Sequence, residues 1–589
     1  MTRKLVTESG EDMTKNIVVA TLLLAGLNVT ASDDNALWRS QKVKIISLGN
    51  DTPPTEYLRN NIELMEAKGP FDGIDIAIQS EGCDRPGEDK LIRYRIFQNW
   101  KWEKEWFKKD LENLKATKFK KFTDNFIRLS TLPGEVSWFD DEAWSTICGN
   151  YAIMAWLAKE GGLKGIHFDP ENYKPVGKCL FQYDPGNKHS FEETYAKARE
   201  RGRQFIKAMT KEYDNITIFT VLGSLSIEFL ALDNPDPMQF LKSDAYGLSV
   251  AFFNGMYDAL PAQAKIIDGY ERDGYWASTP LDYYKMRYKY DVLSKRLLAP
   301  ENIGKFQTQT SLGVATYLDA YVDETGNWVV KSDTISRLDL FRRNLTLAVK
   351  FSDEYTWIWS EQGKWWPIEL DPAVQKSTEK KIGKGRLWEE ILPGVTAAIK
   401  FARDPLAFAL SELNEGKLKP VLNINFEPST KPLETGAPLA EDWKTNKNLF
   451  GLNTYQSSKS KGTFTLDKAV GYKSDCSLRL TSVKGGCVLQ GIPVKPDEVY
   501  FIRESAMSKG NAVPILILSW KNAANKWVNG GDVVRLTFNE SLDDNWRRAS
   551  AVVYVPQGCA FMYFQCFMKS GGEPEDICWF DNIEIYKMY

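Results

Sequence analysis

Two segments of this sequence bring carboxylates and aromatic side chains together at spacings that place them on one side of an extended chain. The first is Gly165-Ile166-His167-Phe168-Asp169-Pro170-Glu171-Asn172-Tyr173, in which His167, Asp169 and Glu171 share parity. Two neighbouring carboxylates oppose each other's ionisation, so one keeps its proton as an acid while the other stays charged. Cleavage of a glycosidic bond requires that pairing, with Glu171 the expected general acid/base and Asp169 a nucleophile or a stabiliser of positive charge. The second segment is Thr356-Trp357-Ile358-Trp359-Ser360-Glu361-Gln362-Gly363-Lys364-Trp365-Trp366, where Trp357, Trp359 and Glu361 share parity. Indole faces pack against the C–H faces of sugar rings, and Glu361 is placed to act as base, nucleophile or hydroxyl clamp. The structural alternatives are that Asp169 holds loop amides ahead of Pro170 and that the tryptophans form an aromatic plug.

Two further segments offer polar groups. Asp268-Gly269-Tyr270-Glu271-Arg272-Asp273-Gly274-Tyr275 carries Asp268 and Glu271 as candidates to oppose Glu171, the alternatives being a solvated acidic turn or an adventitious calcium site. Phe252-Phe253-Asn254-Gly255-Met256-Tyr257-Asp258 reads as the start of a polar and aromatic loop. With His167 and Tyr173, Asn254 and the tryptophans 357, 359, 365 and 366 form the expected substrate-binding set.

Composition narrows the chemistry. Among 589 residues, 75 Lys and Arg stand against 78 Asp and Glu for a net charge of −3, so no basic excess is present to collect nucleic acid. Only two histidines occur, which disfavours histidine-led triads and multi-histidine metal centres, a metal-dependent hydrolase or deacetylase included. No catalytic cofactor is expected. The 19 Trp, 25 Tyr and 30 Phe are more than a core of this size needs; glycan-stacking surfaces are one explanation and ordinary packing the other.

The elements that must position these residues follow from periodicity. From about residue 42 to 366, short apolar strands alternate with long amphipathic helices, an α/β pattern with parallel strands. Eight strands are expected at Lys44–Asn50, Gly73–Gln79, Asn125–Thr131, Gly165–Asp169, Ile216–Leu222, Tyr246–Phe253, Lys305–Ser311 and Glu354–Ser360. That count suits a (β/α)8 TIM-type barrel over 42–418 with its connector, a doubly wound open sheet being the alternative, and the barrel puts Asp169, Glu171 and Glu361 at the C-terminal mouth. In the parity of the strands, Ile46, Leu48, Ile74, Ile76, Ile78, Ile166 and Phe168 read as outward-facing. Residues 421–589 change character to short alternating strands with glycine turns, an all-β jelly-roll or β-sandwich.

The N-terminus reads as a signal peptide at 1–31, with Met13 the expected start, Lys15, an apolar run Ile17 to Leu27, and Val29-Thr30-Ala31 before the cut. Export to the periplasm or exterior is expected, with no later stretch long enough to span a membrane. The eight cysteines show no zinc-type spacing, and either one or two bridges or buried thiols suit them.

In the tail, Leu422-Asn423-Ile424-Asn425-Phe426-Glu427, Ser477-Leu478-Arg479-Leu480, Val488-Leu489-Gln490-Gly491-Ile492-Pro493-Val494 and Trp579-Phe580-Asp581-Asn582-Ile583-Glu584-Ile585-Tyr586 resemble, in family order, the carbohydrate-binding modules of the CenC type. The resemblance implies a structural calcium held by Glu427 and Asp581, and sugar platforms among Trp520, Trp527 and Trp546. The Asp-Pro-Glu-Asn-Tyr segment and the aromatic eighth strand resemble bacterial (β/α)8 glycoside hydrolases of polysaccharide breakdown. The fourth strand is also similar to that of the chitinase family, glycoside hydrolase family 18, whose last acid, the proton donor, maps to Glu171. That family's acidic run is reduced here to Asp169 and Glu171, with His at 167. The expectation is thus a secreted glycoside hydrolase acting on a polysaccharide or oligosaccharide, the alternative being a non-catalytic glycan-binding protein on a barrel scaffold.

Overall fold

The structure is a computed structural model that describes residues 43–171, 179–223, 236–326, 328–332, 335–368, 385–427, 452–458, 460–528, 533–543 and 545–589. The segment expected to direct export lies outside them. The chain divides into two compact units, Ser40–Pro405 and Leu406–Tyr589. Among the described residues no helix is long and apolar enough to cross a membrane.

Among the described residues, the first unit is built on nine parallel strands: β1 (Lys44–Gly49), β2 (Gly73–Ile76), β3 (Phe126–Ser130), β4 (Gly165–Asp169), β5 (Thr217–Thr220), β6 (Lys265–Asp268), β7 (Thr310–Leu312), β8 (Ala315–Tyr317) and β9 (Tyr355–Ser360). They form one curled sheet in the order β7-β6-β5-β4-β3-β2-β1-β9-β8. Helices follow the strands: α1 (Thr55–Lys68), α2 (Lys108–Ala116), α3 (Asp141–Glu160), α4 (Phe191–Glu212), α5 (Gly247–Ala259), α6 (Glu271–Trp276), α7 (Pro280–Asp291), α8 (Ile303–Gln309), α9 (Arg337–Phe351) and α10 (Val395–Arg403). Helix α4 shows how local chemistry sets a boundary. Ser190 Oγ accepts from the Glu193 amide at 3.1 Å while Glu193 accepts from the Ser190 amide at 2.8 Å, a reciprocal cap that satisfies two otherwise orphaned donors.

One side of the sheet meets the helices. Ile74, Ile76, Ile78, Ile166 and Phe168 are buried there with the helical core, as their parity requires. The other side holds a separate buried cluster in which Phe126, Phe219, Ile267, Tyr355 and Trp357 meet. Ile46 and Leu48 belong to this inner cluster and not to the outer face expected from the sequence. The reason is register: Ile46 pairs with Trp357 and Leu48 with Trp359, so all four side chains share the inner side, which is filled by apolar rings instead of polar groups.

Two strand expectations fail in informative ways. Tyr246–Phe253 lies mostly in helix α5, and the true β6 is the four-residue Lys265–Asp268. Helix α5 is apolar on every side because it is buried on every side, a pattern that short windows cannot separate from a core strand. Its approach to α4 is so close that a Cβ on Gly255 would lie 1.9 Å from Arg199 O, and one on Gly202 1.9 Å from Phe252 O. Lys305–Ser311 is mainly helix α8, where Lys305 Nζ donates to the carbonyls of Tyr257 at 2.7 Å and Asp258 at 3.1 Å, closing the C-terminus of α5.

The second unit carries strands β10 (Pro420–Ile424), β11 (Asn453–Gln456), β12 (Thr463–Asp467), β13 (Ser477–Thr481), β14 (Gly486–Pro493), β15 (Val499–Lys509), β16 (Pro514–Lys521), β17 (Val534–Thr537), β18 (Glu540–Ser541), β19 (Arg547–Tyr554), β20 (Phe561–Met568) and β21 (Ile577–Lys587). They form antiparallel sheets of seven strands (β12-β13-β21-β15-β19-β18, with β10 on β21) and five (β11-β14-β20-β16-β17) around one apolar core. All eight cysteines are thiols.

Candidate functional site

A cavity of about 520 Å³ opens in the first unit, lined by Glu171, Glu271 and Glu361 together with Tyr246, Tyr275, Tyr317, Trp328 and Trp359. Its volume falls within the roughly 300–1,000 Å³ typical of small-ligand sites. Glu171 follows β4, Glu271 opens α6 after β6, and Glu361 follows β9, so three strand ends converge on it.

Each glutamate is presented by a defined local device. At β4, Asp169 Oδ1 accepts from the Glu171 amide at 3.1 Å, the loop-holding role weighed from the sequence. Asp169 is itself buried, and burial raises its pKa against the lowering pull of Arg128 and His167. At β6, Asp268 Oδ1 accepts from the amides of Gly223 and Tyr270, each at 3.2 Å. Tyr270 stands at φ 45°, left-handed backbone that costs a non-glycine residue about 1–2 kcal/mol and turns the chain into α6 at Glu271. Asp268 therefore holds the turn that presents Glu271 and does not line the cavity. At β9, Asp319 accepts from the amides of Glu361 and Gln362, both at 2.9 Å, and Trp359 Nε1 donates to Glu361 Oε1 at 3.0 Å.

The electrostatics single out Glu271. Burial pushes its carboxyl well above the ordinary range, and the nearby charges of Glu171, Asp169 and Glu361 push it further. The Tyr275 hydroxyl, one helical turn along α6, pulls it back only in part. The Tyr317 hydroxyl is likewise raised by burial, Asp319 and Glu361.

Beneath the cavity, Arg128 Nη1 donates to Gly49 O at 2.5 Å and its guanidinium lies 4.7 Å from the Trp359 ring centre. His167 is wholly buried with Nδ1 2.8 Å from Asp75 Oδ2, so it belongs to the floor. Neither histidine lines the cavity. Trp357 is also buried, its Nε1 donating to Gly269 O at 2.8 Å and Gly313 O at 3.0 Å, which makes it the plug of the two alternatives.

Three expected contacts lie elsewhere. Asn254 is buried in α5, where its Nδ2 donates to Val250 O at 2.9 Å and Leu297 O at 3.0 Å. Trp365 packs edge-on against Phe71 at 4.8 Å, its amide bound to Asp51 Oδ2 at 2.9 Å. Trp366 is buried beside Phe71 and Phe122, with Nε1 donating to Met65 O at 3.2 Å. Tyr173 lies outside the described residues. Sequence reasoning missed Arg128, Tyr275, Tyr317, Asp319 and Trp328, of which Tyr275 carried a usable signal, four residues after Glu271.

In the second unit, a groove of about 610 Å³ lies on the outer side of the five-stranded sheet, lined by residues including Ile517, Ser519, Trp527, Arg535, Gln565 and Phe567. Trp527 is 47% exposed, and Lys521 Nζ lies over it and over Tyr563 at 4.5 and 4.7 Å. Trp520 and Trp546 are buried. Glu427 Oε1 accepts from the amides of Asp475 and Cys476, and Asp581 Oδ2 from the Tyr472 amide and Ser474 Oγ. Burial raises Asp581 to about 7, with the Glu427 charge adding to it.

No protein-family model matches the chain, and no curated protein matches it. Among solved structures, the chain is similar to the CBM22-1 xylan-binding domain of Xyn10C from Paenibacillus barcinonensis, at 11% identity over 29% of this chain and 95% of that one, TM-score 0.20. It is similar to the CBM22-1–GH10 modules of Clostridium thermocellum endo-1,4-beta-D-xylanase 10B, at 11% identity over 29% of this chain and 28% of that one, TM-score 0.20. A family 16 carbohydrate binding module matches at 15% identity over 25% of this chain and 95% of that one, TM-score 0.18. Carbohydrate-binding modules thus recur among the structural neighbours.

Proposed function

We propose that the first unit is a (β/α)8 glycoside hydrolase acting on a polysaccharide or oligosaccharide, and that the second is a glycan-binding module of the CenC kind. The eightfold count takes 310–317 as a single strand interrupted at Gly313 and Val314. Its first half pairs with β6 and its second with β9, which favours a ring of eight strands. The observation that carries the hydrolase reading is the convergence of Glu171, Glu271 and Glu361 on one aromatic-walled cavity, with Glu271 forced toward its protonated form.

In this reading Glu271, more than Glu171, is the general acid. It gives its proton to the glycosidic oxygen as the C1–O bond breaks, and a carboxylate across the cavity, Glu171 or Glu361, attacks C1 or takes a proton from the attacking water. Burial of Glu271 beside the other acids is why the role moves: a carboxyl raised by burial and by neighbouring negative charge is able to arrive protonated. Asp169 then supports the Glu171 loop, with Arg128 and His167 beneath it.

For the module, the outer groove with Trp527 and Tyr563 is the glycan face, and Glu427 with Asp581 is the calcium pair. The two carboxylates repel, which a divalent cation would offset. Backbone carbonyls would complete its shell, since among the described residues no three acidic, His or Cys side chains are placed to hold a metal ion together. Export through 1–31 completes the proposal.

The test is a polysaccharide and aryl-glycoside screen with purified full-length protein, followed by proton NMR of the first anomer released. Turnover is expected. Binding across the panel with no product would replace the hydrolase by a glycan-binding barrel.

A further inference from the structure

Three aromatic rings step outward from the wall of the cavity. Tyr275 and Trp328 line it, their centroids 5.5 Å apart and their planes at 83°. Trp276 stands next, 5.6 Å from Trp328 and at 85° to it, but outside the cavity and 64% exposed. A single exposed apolar residue needs no explanation on its own. This one differs in being propped perpendicular to a cavity-wall ring, at the C-terminal end of the same short helix that begins with Glu271.

We propose that Trp276 is a rim subsite that stacks on a sugar unit of the substrate lying beyond the cavity, so that the protein selects chains longer than the cavity can enclose. The inference rests on the reading of the cavity as a glycan site. A cavity of about 520 Å³ encloses a ligand of drug size, comparable to a disaccharide. A longer chain leaving it along the Tyr275–Trp328 wall meets the Trp276 indole next. A sugar ring offers an apolar C–H face on a neutral polar body, and it suits an exposed indole propped on one side better than an anionic or wholly apolar ligand would. The perpendicular contact with Trp328 also limits the ordering cost of using that indole.

The experiment is calorimetric titration of full-length protein with cello-, xylo-, manno-, malto- and chito-oligosaccharides of two to six units. Glu271→Gln and Glu271→Gln/Trp276→Ala are compared, so that turnover does not consume the ligand and any contribution of the second unit is common to both. For the sugar series that binds, affinity is expected to rise with length, and the Trp276 change is expected to weaken the longest member by about tenfold while shifting the disaccharide by less than about twofold. A Trp276→Phe change should keep part of the gain. Equal loss at every length, no loss at any length, or no binding of any series overturns the subsite. The hydrolase reading fails separately, if unmutated protein releases no product from a series that it binds; length-dependent loss in the Trp276 variant would still uphold the subsite in that event.

Discussion

The indole of Trp359 joins an acid to a base: its Nε1 donates to Glu361 Oε1 at 3.0 Å, and the guanidinium of Arg128 lies 4.7 Å from its ring centre. The ring transmits position from a buried cation at the floor to a carboxylate at the mouth. A hydrogen bond to a charged group is worth about 1.5–3 kcal/mol. Trp359→Phe, which keeps the ring and removes the N–H, is expected to lower kcat/KM by about ten- to a hundredfold on the substrate found in the screen. Unchanged kinetics would mean that the indole N–H does not position Glu361.

Glu271 should govern the alkaline limb of the pH profile. Its carboxyl is raised, so the acid form persists upward from the ordinary range and activity is lost as pH climbs through the raised value. Glu271→Gln is expected to reduce kcat by about 10²–10⁴ on substrates with poor leaving groups, and less on dinitrophenyl glycosides that need no proton. It should also flatten the alkaline limb. A variant that kept both the rate and the limb would return the acid to Glu171.

Glu504 lies in the core of the second unit, fully buried on β15, and burial lifts it from 4.5 to about 8. Between those values the unfolded chain releases a proton that the folded one keeps. The stability that this one group contributes is therefore greatest below about pH 4.5, falls by at most roughly 1.4 kcal/mol per pH unit across the window, and levels off above it. Glu504→Gln stays neutral in both states. Its thermal midpoint should exceed that of the unmutated protein at pH 8 and match it more closely at pH 5, measured by scanning calorimetry.

Asp581 has the same sign, raised from 3.8 to about 7 beside Glu427. Calcium at millimolar concentration should raise the midpoint of the second unit at pH 7.5, and a chelator should reverse the gain. Asp581→Asn should abolish the calcium response, while Glu504→Gln leaves it intact. A calcium response that survives Asp581→Asn would place the cation elsewhere.

The ends of β4 and β9 were legible in the sequence because both strands alternate cleanly and close on acids, so Glu171 and Glu361 could be placed from parity alone. Glu271 was visible as an acid but had no strand to stand on, since β6 is only Lys265–Asp268 and the apolar run of α5 imitated it. Trp365 and Trp366 share the segment of Glu361, but the chain turns after Gln362 and anchors the Trp365 amide to Asp51, more than 300 residues earlier. Arg128 lies within Phe126-Ile127-Arg128-Leu129-Ser130, and nothing local shows that Gly49 O and the Trp359 ring make its burial tolerable. Local periodicity reports which way a side chain points. It does not report what arrives from another strand to meet it.

The plug of rings under the cavity, Trp357 with Phe219, Phe126 and Tyr355, makes the chamber blind at its floor. Among the described residues these rings close the strand axis, so incoming ligand, water and any departing fragment share the mouth side. In the hydrolase reading proposed above, a fragment released on the floor side of the scissile bond would have to wait for the piece on the rim side to clear. The order of departure is then imposed by architecture, and the inner fragment is the one that should compete with the next ligand for the site.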